Sequence, residues 1–145
     1  MRRIVYLAAT TAAFAALCVS ARISQAQITE DIVANISHSF IVNNTTLPPG
    51  KYTFHMIHQT EETVMRVSSA DGRKVTDFMV RDSIDDHLPM HSELVFNRYG
   101  NKEFLTRLYE AGTKTGAAVI NISKDETDLT AHGQAATTHS EEQER

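Results

Sequence analysis

One cysteine occurs in 145 residues, Cys18, and it lies in an N-terminal stretch with the pattern of an export leader. Disulfides and thiol catalysis are therefore not expected in the rest of the chain. An oxidising compartment permits disulfides without requiring them, so the fold has to be held by its core. Catalytic signatures are missing too: there is no G-x-S-x-G elbow and no phosphate-binding loop. Positive charge is also short, with 14 Lys and Arg against 18 Asp and Glu. Loss of residues 1–26 would remove Arg2, Arg3 and Arg22 and take the net charge from −4 to about −7. That balance argues against nucleic acid, whose phosphates demand clustered Lys and Arg, and against docking on an anionic lipid surface. No segment after Gln27 holds a 3.6-residue apolar period, and no internal repeat is present.

The leader reads MRRIVYLAATTAAFAALCVSARISQAQ. A basic start, an Ala-rich uncharged run from Ile4 to Ala21 and small-x-Ala exits at 19–21 and 24–26 form a secretory signal, with cleavage expected between Ala26 and Gln27. Alanine and threonine dilute the run below what an anchoring helix needs, so no stable membrane insertion is expected after cleavage. A lipidation signal would place a small residue before the cysteine, and Leu17 stands there instead. The expected location is exported, periplasmic or extracellular.

Alternation of apolar and polar residues dominates the chain after Gln27. In IVANISHSFIV, residues 32–42, one face collects Ile32, Ala34, Ile36, Phe40 and Val42, with His38 as the polar exception. Residues 51–57, 63–68, 74–80, 93–99, 102–109 and 117–122 read as further strands. Pro48-Pro49-Gly50, Asp71-Gly72 and Gly100-Asn101 read as three tight turns, each joining neighbouring strands. FLTRLY, residues 104–109, is apolar on both faces and belongs in mid-fold. The expectation is one all-β domain over 27–123, a β-sandwich or small barrel of about seven strands. A disordered acidic polar tail is expected over 124–145, with at most a helical turn near Glu141 to Glu144.

TTLPPGKYTF and, about forty residues on, ELVFNRYGNKEFLTRLYEAGTKTG resemble an uncharacterised family of small secreted acidobacterial β proteins with an LPxGxY segment and an LVFxRYGxxxFL hairpin. The likeness spans roughly residues 35–116. It implies a β fold and export and carries no activity. The acidic tail and the histidines of residues 82–91 depart from the family's pattern.

Those histidines lie in DSIDDHLPMH, the densest cluster of potential ligands. His87 and His91 with Asp86, Asp85 or Met90 would suit Cu or Zn if the segment folded back tightly. Turn formation explains the same composition, since loops collect Asp, Ser, His and Pro. No strict metal spacing is present, so a solvated connection is expected. His55 and His58, three apart on a strand, should point to opposite faces. His38 is expected to be a half-buried, hydrogen-bonded histidine. Arg98, Tyr99, Arg107 and Tyr109 offer either a binding patch or an ordinary strand surface in which Arg98 pairs across the Gly100 turn with Glu103. The acid pairs Glu61-Glu62 and Asp85-Asp86, and Asp125-Glu126 with Asp128, are adjacent in sequence and are not expected to face one another across a cleft. The functional expectation is a non-enzymatic exported module, without a cofactor, that binds a protein or glycan of the cell envelope. The alternative is a periplasmic copper- or zinc-binding protein using the 82–91 loop.

Overall fold

Ten strands and one short helix make up the computed structural model, which describes residues 28, 30–58 and 63–143. The expected leader, Cys18 and the cleavage site at Ala26 and Gln27 lie outside the described residues. The strands are β1 (Ile32–Ile36), β2 (Phe40–Val42), β3 (Thr45–Leu47), β4 (Gly50–His58), β5 (Thr63–Ser69), β6 (Val75–Ile84), β7 (Glu93–Tyr99), β8 (Lys102–Tyr109), β9 (Thr115–Val119) and β10 (Thr137–Glu142). Helix α1 spans Lys124–Ala131, between β9 and β10. The chain is all-β. No helix among the described residues is long and apolar enough to cross a membrane.

The strands form one mixed sheet that is not closed, in the order β1-β4-β5-β6-β9-β8. From β8 it continues antiparallel to β7 and β10, and along the edge β8 shares with β9 it takes up β2 in parallel, Ile41 opposite Phe104, with β3 beyond. The inner face curls round one core. Ile32 and Ile36 of β1, Tyr52 and Phe54 of β4, Phe78 of β6, Leu94 and Phe96 of β7 and Leu108 of β8 all belong to one buried cluster. Phe40 of β2 stands at its centre, edge-on to Tyr52 at 5.2 Å and to Phe96 at 5.8 Å between ring centroids. Burying each such side chain contributes about 1.5–3 kcal/mol.

Two turns act as expected. Asp71-Gly72 joins the paired strands β5 and β6, and Gly100-Asn101 closes the β7–β8 hairpin with Tyr99 opposite Lys102, Arg98 opposite Glu103 and Asn97 opposite Phe104. Gly100 has φ +61°, the left-handed value that the first central position of a type II′ turn requires. FLTRLY is covered on both faces, though not by simple alternation. A bulge against Val95 and Phe96 leaves Thr106 out of register, its hydroxyl donating to the Val95 carbonyl at 3.0 Å. Leu105 and Leu108 therefore both reach the main core, while Phe104 joins Ile41, Tyr99 and Leu129 in a second cluster under α1.

The structure corrects four expectations. Residues 32–42 are two strands, because the chain leaves β4 at Ile36 and crosses over residues 37–39 to pair with β3 and β8. Alternation persists across the break, so the change of partner leaves no mark in the hydrophobic pattern. Pro48-Pro49-Gly50 links β3 to β4, which are not neighbours, and is held by the Tyr52 hydroxyl donating to the Pro48 carbonyl at 2.7 Å. The strand expected over 117–122 runs instead over Thr115–Val119. The tail is structured over its described residues, 124–143: Ser123 caps α1 by accepting from the Glu126 N–H at 3.1 Å, and β10 pairs along nearly the whole of β7. What orders this polar segment is a backbone ladder and the packing of Leu129, both supplied by the rest of the fold. The strand count rises from seven to ten for these reasons and through the Asn43-Asn44 hairpin, whose φ values of +47° and +61° fit a type I′ turn between β2 and β3.

Candidate metal centre

The edge strand β10 is polar outside and only partly buried within. His139 pairs with Phe96 and Glu141 with Leu94, so both side chains lie on the core-facing side of the sheet, two residues apart on the strand. Facing them is His38, on the core side of the crossover between β1 and β2. Among the described residues, His38, His139 and Glu141 form a group whose ligand-type atoms all lie within 4.8 Å of one another. His38 Nδ1 is 3.1 Å from Glu141 Oε1. That is close to the spacing of about 3.4 Å that two ligands adopt on a tetrahedral ion with bonds near 2.0–2.1 Å.

Phe96 organises the rings. His139 stacks on it at 5.6 Å and 22°, while His38 meets its edge at 5.1 Å and 83°. The imidazoles themselves lie 5.3 Å apart. Ser37, next to His38, donates its hydroxyl to Glu141 Oε1 at 3.2 Å, so this oxygen is already held. The opposite atoms are not. His38 Nε2 and Glu141 Oε2 are buried without a hydrogen-bond partner. Buried polar atoms are normally satisfied, and leaving them unpaired costs about 1–3 kcal/mol each. Side-chain exposures of 19% for His38, 20% for Glu141 and 30% for His139 leave the group at the rim of the core, within reach of solvent.

Chemically the set is two imidazoles and one carboxylate. Thiolates and thioethers are not part of it, which disfavours Cu(I), and one carboxylate with two nitrogens is a poor oxygen cage for Ca(II) or Mg(II). Zn(II) and Cu(II) match it. Three protein ligands leave a further coordination position open.

The other predicted site residues fall elsewhere. Asp82, Ser83 and Ile84 end β6, paired with Ala117, Gly116 and Thr115, so the connection begins only at Asp85. Its aspartate anchors the loop: Asp85 accepts from the His87 N–H at 3.2 Å and from the Tyr109 hydroxyl at 3.3 Å, with Arg107 at 3.5 Å. The His87 N–H first, then the tyrosine and the arginine, hold its carboxyl below the ordinary aspartate range. His87 Nε2 approaches Glu93 at 3.9 Å, whereas His91 Nδ1 approaches Glu142 at 3.3 Å. The two histidines thus engage different carboxylates. Asp86 is exposed and Met90 is 86% exposed. The Arg and Tyr constellation is not a surface patch: Tyr99 and Tyr109 are buried, Arg98 is bonded to Glu103 and Arg107 faces Asp85. His55 Nδ1 meets Asp31 at 2.5 Å on an exposed face.

Of the three central residues, sequence reasoning singles out His38, as a hydrogen-bonded core histidine. His139 and Glu141 escape it because they fall in the segment whose composition reads as disordered. The available signal is the alternation Thr137, His139, Glu141 in TTHSEE, which has strand period without apolar content. For α1 it is the S-x-x-E capping-box spacing of Ser123 and Glu126. Compared with models of known families, with curated proteins and with solved structures, the chain matches none.

Proposed function

We propose that this chain is an exported, non-enzymatic β protein of the cell envelope that binds one divalent transition-metal ion, Zn(II) or Cu(II), through His38, His139 and Glu141. The observation that carries the reading is the convergence of the three side chains within 4.8 Å, with a buried, unpartnered atom on both His38 and Glu141. A cation within the group would be held by one nitrogen of each imidazole and a carboxylate oxygen, all of them Lewis bases. The open position at a solvent-accessible rim suits uptake and release of the ion better than permanent burial. The leader-like N-terminus supports export, and the acidic balance supports a partner other than nucleic acid. Among the candidate sets, this one takes the place of the 82–91 loop because its ligands are convergent and partly desolvated.

Titration calorimetry of the mature chain with Zn(II) and with Cu(II) tests the proposal. One-to-one binding that is lost in Glu141→Gln supports it. Absence of binding, or binding unchanged in that variant, overturns it.

A further inference from the structure

Glu103 is the most deeply buried acid near the centre, at 4% exposure, and is not itself one of the three converging residues. It lies on β8, two strands from β10, on the same sheet face as Arg98 and Phe96. One oxygen, Oε1, accepts from Arg98 Nε across the hairpin. The other, Oε2, is buried without a hydrogen-bond partner and lies 3.5 Å from His139 Nδ1. Arg98 is half-exposed and reaches Glu103 from the rim, whereas His139 approaches from the side of the metal group.

We infer that Glu103 is a positioning residue for the metal centre, accepting the Nδ1–H of His139 so that Nε2 is the ring nitrogen presented to the ion. The inference rests on the metal reading above and assigns a tautomer and a direction to one of its ligands. Three observations converge on it. A buried carboxylate oxygen without a donor requires one, and His139 Nδ1 is the basic nitrogen found beside that oxygen. Stacking on Phe96 restrains the His139 ring plane, so that a small in-plane adjustment shortens the Nδ1 contact. Arg98 holds the opposite oxygen of Glu103 and keeps the carboxylate from turning away. A metal-ligating histidine almost always gives its second ring N–H to a carboxylate, a carbonyl or water, and this partner sets both tautomer and ring basicity. Arg98 would then be the third member of a relay from the rim to the ion. The hairpin that carries Arg98 and Glu103 is thereby coupled to a site whose ligands come from other segments.

The test uses the metal-free mature chain first. Long-range ¹H–¹⁵N correlation of the His139 ring should show the Nδ1–H tautomer in wild type, with a shift toward Nε2–H in Glu103→Gln. Calorimetry should then show Zn(II) affinity reduced about 10- to 100-fold in Glu103→Gln, with one-to-one stoichiometry retained. An Nε2–H tautomer in wild type, or equal Zn(II) affinity in the variant, would overturn the inference. The first of these readouts needs no variant and is indifferent to any loss of stability from the substitution. Wild type with the Nδ1–H tautomer but without Zn(II) binding would overturn the metal reading while supporting the orientation of His139 by Glu103.

Discussion

Gly116→Ala probes the centre of the sheet with the smallest possible side chain. Gly116 lies in β9 between Ser83 of β6 and Tyr109 of β8. A Cβ built there would sit 2.4 Å from the Leu108 carbonyl oxygen, 2.4 Å from Tyr109 Cδ1 and 2.6 Å from Cε1. All three separations are about an ångström too short for van der Waals contact. The tyrosine ring is flexible in principle, but it is buried and its hydroxyl donates to Asp85. The carbonyl belongs to a strand flanked on both edges, β7 on one side and β9 on the other, and has little freedom to move. Overpacking of this kind typically costs about 1–3 kcal/mol, and expelling part of the Tyr109 ring from the core adds about 1–2 kcal/mol at the usual area coefficient. The expected loss is about 2–5 kcal/mol. At roughly 4 °C per kcal/mol for a domain of this size, the melting temperature should fall by about 8–20 °C. Thermal unfolding of the protein by circular dichroism reads the shift directly. In a Tyr109→Ala background, itself destabilised by loss of a buried ring, the further cost of Gly116→Ala should be smaller than in wild type, since one of the two obstacles is then gone. A drop below about 2 °C in the single variant would refute the close approach of Tyr109 and Leu108 to Gly116.

Gly100→Val should destabilise by roughly 1–2 kcal/mol, whereas Gly100→Asn should be much milder, because nothing crowds a Cβ there and the cost lies in the left-handed φ; equal melting temperatures for the two would sink the turn assignment. Burial raises the Glu126 carboxyl above the ordinary range, and the Asn97 amide only partly offsets this. A carboxyl raised in the folded state favours folding fully below its unfolded pKa, and the contribution is lost as pH rises through the folded value. Glu126→Gln should therefore gain stability over wild type as pH rises above the ordinary glutamate value of about 4.3, and a pH-independent gap in melting temperature would contradict it. His87→Ala with His91→Ala should change stability by no more than about 0.5 kcal/mol, the scale of surface substitutions, and should leave Zn(II) affinity unchanged; loss of binding in this double variant would return the site to the 82–91 loop.

The β7–β8 hairpin is legible down to its cross-strand pairs because a Gly-Asn turn and two alternating flanks leave one register that buries Phe96, Leu105 and Leu108 together. The bulge at Thr106 is not legible, since the hydrophobic string FLTRLY is equally apolar with and without it. The same limit applies to the crossover at 37–39, where His38 occupies a core-side position by alternation but its neighbour across the gap is more than a hundred residues away. Local pattern reports which face a side chain occupies. It does not report which edge of the sheet will meet it. The tail escapes for a different physical reason: composition measures the capacity to bury apolar area, and β10 is ordered mainly by hydrogen bonds to a strand already in place. Glu103 shows the middle case. Its pairing with Arg98 can be counted off from the turn, but its burial cannot, because the strand that brings His139 over it has the composition of a disordered tail.

Whether His38, His139 and Glu141 hold one metal ion is decided most directly by X-ray absorption at the metal edge, on the protein loaded with one equivalent of Zn(II) and compared with His139→Ala. A centre built from these three residues predicts a first shell of nitrogen and oxygen only, at about 2.0–2.1 Å, with an imidazole scattering contribution from two rings that falls to one in the variant. A shell of oxygen alone, or two rings persisting without His139, would contradict it.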